Sequence, residues 1–330
     1  MATLYLNGID TEAKLAGRTF QVSKLNEETG DIDTMKVPLF DLDRVVVAGR
    51  PAITVPMLQA CAREGVPVAF VTSRGRWVGN FVPDTNGHAL RRLRQYDLAR
   101  DETFALKVAK CCVGAKIRNG RRVLQRLAAN RGLSQEEDQV AVGDDLQATL
   151  SRAENASDLD TLRGYEGVAA AIYFRRLGIF FPAELPFNGR NRRPPRDEAN
   201  AILSWTYIIV LGEIDAAVRA AGLDPCLGFL HGISHGRSSP ALCDLLVLNI
   251  VNHGILKAEH FEPNAEDGGV YMKKDARKIF FTEYERTMLR RFSPAKGEAH
   301  TDFRGIIRAQ VNALLRAMET LEPEPLFQMP

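Results

Sequence analysis

The sequence predicts an α+β protein, with a small β-rich amino-terminal domain over residues 1–85 and a larger all-helical domain over residues 86–330. Short runs of β-branched and aromatic residues, separated by Gly, Asp and Asn, fill the first eighty or so positions. After Asn86 and Gly87, patterns of 3.6-residue period run to the end of the chain. The composition, 45% hydrophobic and 25% charged over 330 residues, suits one large domain or two; it excludes a disordered chain, a collagen-like fibre and a small disulfide scaffold.

Taken in order, strands are expected at Leu4–Leu6, Phe20–Val22, Arg44–Val47, Pro67–Thr72 and Trp77–Val82. One helix interrupts them. Thr54 can cap Val55–Arg63, Pro56 fits its first turn, and Gly65 ends it, with Leu58, Cys61 and Ala62 on one face. The strands on either side are apolar on both faces, which predicts a covered strand-helix-strand unit.

In the helical part, Leu159–Leu177 shows an apolar stripe of Leu162, Ala169, Ile172 and Tyr173. Asp197, after Pro194 and Pro195, caps a helix running through Ile202, Trp205, Ile208, Ile209 and Leu211 to Gly222. The last helix carries Phe303, Ile306, Ile307, Val311, Leu314, Leu315 and Met318 on one stripe, with Arg304, Arg308 and Arg316 off it. The tail, Glu322–Pro330, is expected to be loose or to dock on a partner.

The net charge of +2 conceals a strong asymmetry. Residues 86–130 hold eleven Lys or Arg against three acids, GRNRRPPR at 189–196 holds four Arg and no acid, and residues 133–160 hold eight acids and one Arg. Clustered cations suit a polyanion, because each neutralised phosphate releases counterions; basic helices also serve as plain solvated faces. Five Cys without a CxxC pair imply reduced thiols and a cytoplasmic protein. The first ten residues lack a leader pattern, and the apolar stretch around Ile208–Leu211 is too short for a membrane span, so no membrane partner is expected.

Glu166 is the candidate for chemistry in the Leu159–Leu177 helix, because it lies on the apolar stripe between Leu162 and Ala169. A buried carboxylate must be protonated, paired or bound to a cation, and Arg163 is its nearest possible partner in sequence. The segment from Gly222 to Asp244 admits three readings. Gly232–Gly236 (GISHG) fits a nucleophile elbow but lacks the strand that should precede one. Cys226, His231, His235 and Cys243 could bind zinc, though their spacing is not that of common fingers. Glu166, His231 and Asp244 could instead hold Mg²⁺ or Mn²⁺, with Arg237 gripping a phosphate.

LRGYEG at 162–167, GRNRRPPRDEANAILS at 189–204, GLDPCLGFLH at 222–231 and LVLNIVNHG at 246–254 together resemble the CRISPR-associated integrase family of spacer acquisition. The stretch around Tyr271, Met272 and Lys273 is similar too, as is PVAFVTSRGRWVG near the amino terminus. The resemblance implies a β-rich dimerisation domain joined to a helical catalytic domain, and a metal-dependent endonuclease. The implied reaction inserts short double-stranded DNA into a CRISPR repeat by 3′-hydroxyl attack on a phosphodiester. It further implies a homodimer that works with a small ferredoxin-like adaptation protein. By position, Glu166 and His231 match the family's metal ligands, and Arg163, Arg190, Arg192, Arg193, Arg196, Arg237, Lys273 and Lys274 are expected at the DNA.

At one place the chain departs from the family. A helix with two acids three residues apart usually follows the Gly-Arg pair, whereas here SSPALCDLLVLN runs straight through and leaves Asp244 as the only acid between His231 and Asn249. Asp244 is either the third ligand or a later family acid brought forward. The second case would make the protein a catalytically weak DNA-binding scaffold.

Overall fold

A computed structural model describes residues 2–25, 30–81, 88–191, 194–230, 240–293 and 299–329. The first strand, β1 (Ala2–Asn7), is followed by a hairpin of β2 (Thr11–Ala16) and β3 (Thr19–Leu25), then by β4 (Ile32–Pro38), β5 (Leu42–Ala48) and the short β6 (Ala52–Ile53). Helix α1 (Val55–Arg63) leads to β7 (Val68–Val71) and β8 (Trp77–Phe81). One sheet has the order β1-β5-β7-β8, parallel except at β8; the other has the order β4-β3-β2-β6.

The expected strand-helix-strand unit is β5-α1-β7, and β5 and β7 pair in parallel. Because side chains alternate along a strand, Val45, Val47 and Val68 pack with Met57 and Cys61 of α1, while Val46, Ala48, Ala69 and Val71 join the core of the helical part. Two details differ from the sequence reading. Thr54 precedes α1 without a side-chain cap bond, and the buried face of α1 is Met57, Ala60 and Cys61.

Beyond residue 88 come α2 (Ala89–Arg100), α3 (Glu102–Asn130), α4 (Glu137–Glu154), α5 (Leu159–Leu177), α6 (Glu198–Ala220), α7 (Pro240–Asn252), α8 (Lys274–Met288) and α9 (Phe303–Thr320). A two-stranded ribbon that the periodicity does not announce, β9 (Phe261–Pro263) with β10 (Val270–Met272), separates α7 from α8. The boundary expected at Asn86 and Gly87 lies outside the described residues.

Asp101, Asp158, Asp197 and Asp302 each accept backbone N–H groups at the start of α3, α5, α6 and α9. α6 is long and apolar enough to cross a membrane by length and composition, but 67% of its apolar window is buried inside the protein. A Cβ on Gly212 of α6 would sit 2.5 Å from Trp77 Cζ3, so glycine lets β8 approach this helix. Asn80 adds hydrogen bonds from β8 to the Gly212 carbonyl and Asp215.

Arg304, off the apolar stripe as the periodicity has it, is nonetheless only 7% exposed and bonds to Glu213 and Glu285. One expectation is corrected near the carboxy terminus: the tail is not loose. Residues 322–329 fold back on the chain's own α3 and α9, through Asn119 and through ion pairs of Glu322 with Lys107 and Glu324 with Arg316.

Candidate active site

α5 places Leu162, Ala169 and Tyr173 in the core and leaves Glu166 partly buried, with a side chain 15% exposed. Its partner is Lys116 of α3, whose Nζ is 2.6 Å from Glu166 Oε1. Arg163 points elsewhere. It pairs with Asp160, and its Nε donates to the Leu230 carbonyl at 2.9 Å. The sequence therefore marked the carboxylate correctly as needing a partner but placed the wrong cation beside it.

Arg163 and Gln95 together hold the chain that leads to His231. Gln95, 2% exposed on α2, donates to the carbonyls of Asp224 and Leu227 and accepts from the Asp224 N–H. Arg163 then fixes Leu230. His231, His235 and Arg237 lie outside the described residues, as does the GISHG segment. The zinc reading retains two described members, Cys226 on an exposed loop and Cys243 buried in α7.

Glu166 and Lys116 line a cavity of about 350 Å³ bounded by α3, α6, α9 and the tail. They also line a much smaller cleft that reaches Gly120, Ala169 and Tyr173. A Cβ on Gly120 would stand 3.2 Å from the Tyr173 ring, so the glycine sets how closely α5 lies on α3.

Asp244 occupies a closed position. It is 0% exposed on α7; Tyr173 Oη donates to its Oδ2 at 2.7 Å, and Tyr207 Oη of α6 donates to its Oδ1. Burial pushes its carboxyl up to about 6, although both tyrosine hydrogen bonds, Arg190 and Lys116 favour the charged form. Burial also raises both tyrosine hydroxyls well above their ordinary value. Arg190 stacks over the Tyr207 ring at 5.1 Å and donates to Asn200 at 3.0 Å.

The described donor set fits a divalent cation at one position. Glu166 is an accessible carboxylate already held against positive charge, whereas both Asp244 oxygens are taken up by hydroxyls in a closed core. Among the described residues, no group of three or more His, Cys, Asp or Glu could hold a metal ion.

The expected DNA-facing cations are largely engaged within the chain. Arg196 Nη1 donates to the carbonyls of Asp267 and Gly268 between β9 and β10, Lys273 donates to the Glu259 carbonyl, and Lys274 pairs with Asp10 at 3.0 Å. Arg192 and Arg193 lie outside the described residues. Sequence reasoning missed Lys116, Gln95, Tyr173 and Tyr207 as parts of the site. Only Lys116 had a signal, its place in the basic segment before residue 130.

Residues 4–286 match the family described as CRISPR associated protein Cas1. A CRISPR-associated endonuclease Cas1 of Thermus thermophilus is 31% identical over 93% of this chain and 92% of its own length. Another, from Thermodesulfovibrio yellowstonii, is 32% identical over 93% and 98%. Among solved structures, a casposase bound to integration product aligns with a TM-score of 0.85 at 20% identity, covering 100% of this chain and 94% of that one. A Cas1 protein from Thermotoga maritima aligns over 100% of both chains with a TM-score of 0.77 at 20% identity. At these identities the two structures speak to the fold.

Proposed function

Since the chain belongs to the CRISPR-associated Cas1 family of endonucleases and integrases, we propose that it joins short double-stranded DNA to a CRISPR repeat with the help of Mg²⁺ or Mn²⁺ held by Glu166 and His231. The observation that carries this reading is the Glu166 carboxylate, partly buried beside Lys116 on the wall of an open cavity. When bound, the cation neutralises charge on the phosphodiester under attack. The chain's own groups do the rest: Arg163 fixes the backbone next to His231, and Lys116 adds a positive charge where phosphate charge develops.

The same reading takes residues 1–85 as the dimerisation domain. Ile32 and Phe40, 68% and 77% exposed on β4 and the turn after it, are apolar side chains of this region left uncovered for a second copy. DNA and a small ferredoxin-like adaptation protein complete the expected assembly, in the cytoplasm. Arg192, Arg193 and Arg237 are the cations proposed for DNA, with Arg190, Arg196, Lys273 and Lys274 bracing the elements that carry them.

One observation favours a second reading. Asp244 is closed off by two tyrosines, so a scaffold that binds DNA and partners with little catalysis follows if one carboxylate and one imidazole are too few. Calorimetric titration with Mn²⁺, together with a joining assay on a supercoiled repeat-bearing plasmid, separates the two. Saturable Mn²⁺ heat that is lost in Glu166→Gln, with joining lost alongside it, supports the integrase. Bound DNA with neither Mn²⁺ heat nor joined product in the parent chain supports the scaffold.

A further inference from the structure

Residues 322–329 have no regular secondary structure, yet they form one wall of the cavity that ends at Glu166 and Lys116. Their attachment is specific at one point. Asn119 is 3% exposed on the buried face of α3; its Nδ2 donates to the Phe327 carbonyl at 3.0 Å, and its Oδ1 accepts the Met329 N–H at 2.8 Å. A side-chain amide that gives to one residue and takes from the second residue onward reproduces the pairing of a neighbouring strand, so it grips extended backbone whatever the side chains. Leu326, Phe327 and Met329 then line the cavity.

The rest of the attachment is weak by construction. Lys107–Glu322 and Arg316–Glu324 are surface ion pairs, with side chains between 43% and 73% exposed, and such pairs are screened by salt. α9 ends at Thr320 with Leu321 in the left-handed conformation, φ 63°, which is where the chain turns back over the cavity. The Leu321 N–H caps the Ala317 carbonyl, so this residue ends the helix and redirects the chain.

We propose that residues 322–329 are a releasable strap, latched by Asn119, that narrows the cavity beside Glu166 until it is displaced. The strap is a property of the chain by itself; its effect on the reaction rests on the function proposed above. Hydrogen exchange of the full chain tests the strap without any activity. At about 0.5 M salt, or in Asn119→Ala, the Met329 amide should exchange about tenfold faster while α3 beneath it keeps its protection. A chain ending at Leu321 should stay folded, and with the exposed Cys112 and Cys226 replaced by Ser in both chains its Cys111, on the cavity wall, should react about tenfold faster with a maleimide. Tail and α3 exchanging together, or a maleimide rate unchanged by the truncation, would overturn the proposal. Joining by the truncated chain, expected to rise several-fold at low salt, reports separately on Glu166.

Discussion

Arg304 of α9 grips Glu213 of α6 with two prongs, its Nε and Nη2 each 3.0 Å from one carboxylate oxygen. Arg44 of β5 reaches the same carboxylate at 2.5 Å, and Tyr284 of α8 donates to it at 3.0 Å. Burial alone would raise the Glu213 carboxyl; Arg44 and Arg304 outweigh it and hold the carboxyl below its ordinary range.

Removing one arm of this cluster leaves buried charge under-compensated. Arg304→Ala should cost about 3 kcal/mol in chemical denaturation near neutral pH. Because the folded-state value of Glu213 lies below the unfolded one, this contribution is present above the unfolded carboxyl pKa and fades as acid carries the pH down through the folded value. Arg316→Ala, on the exposed side of the same helix, should leave the midpoint nearly unchanged. Equal losses in both variants would show that the cluster contributes nothing special.

Asp244 gives the opposite pH signature. Its folded value, about 6, lies above the ordinary 3.8, so the parent loses stability as pH rises through that window. Asp244→Asn should gain on the parent by about 3 kcal/mol between about pH 4 and pH 8. Urea midpoints of the two proteins across that range check this, and a flat difference would refute it. Mn²⁺ affinity should not change, since both Asp244 oxygens already serve tyrosines.

Lys116 competes with any divalent cation for Glu166. Lys116→Met should therefore tighten Mn²⁺ binding several-fold by calorimetry. Joining should fall, because a positive charge near the phosphate is lost. Weaker Mn²⁺ binding in this variant would place the cation away from Glu166.

Arg196 ties the turn between β9 and β10 to the segment before α6 through two backbone carbonyls. Arg196→Ala should lower the unfolding free energy by about 1 kcal/mol and leave the slope of log DNA affinity against log salt unchanged. Arg192→Ala with Arg193→Ala should do the reverse. A shallower slope for Arg196→Ala would move it to the DNA surface.

Legibility in the sequence followed the range of the interactions. β5, β7 and α1 could be read because their hydrophobic runs are local, and Glu166 because a carboxylate on a 3.6-residue apolar stripe stands out. β4 was missed because most of its residues are exposed and polar, so no burial pattern marks it. The meeting of Tyr173, Tyr207 and Asp244 joins three helices far apart in the chain, and no spacing encodes it. The partners of Arg304 were hidden for a related reason: it sits beside the apolar stripe of α9, and only the approach of α6 and α8 turns that flank inward.

Val46, Ala48, Ala69 and Val71 belong to the same apolar cluster as Ile202, Leu246 and Phe280 of the helices. One side of the parallel sheet is thus finished by residues more than a hundred positions away. Expressed alone, the strand-rich segment would offer that side to water and clump, and the helices would lose the floor they stand on. Melting of the intact chain in a calorimeter should accordingly give a single endotherm rather than two.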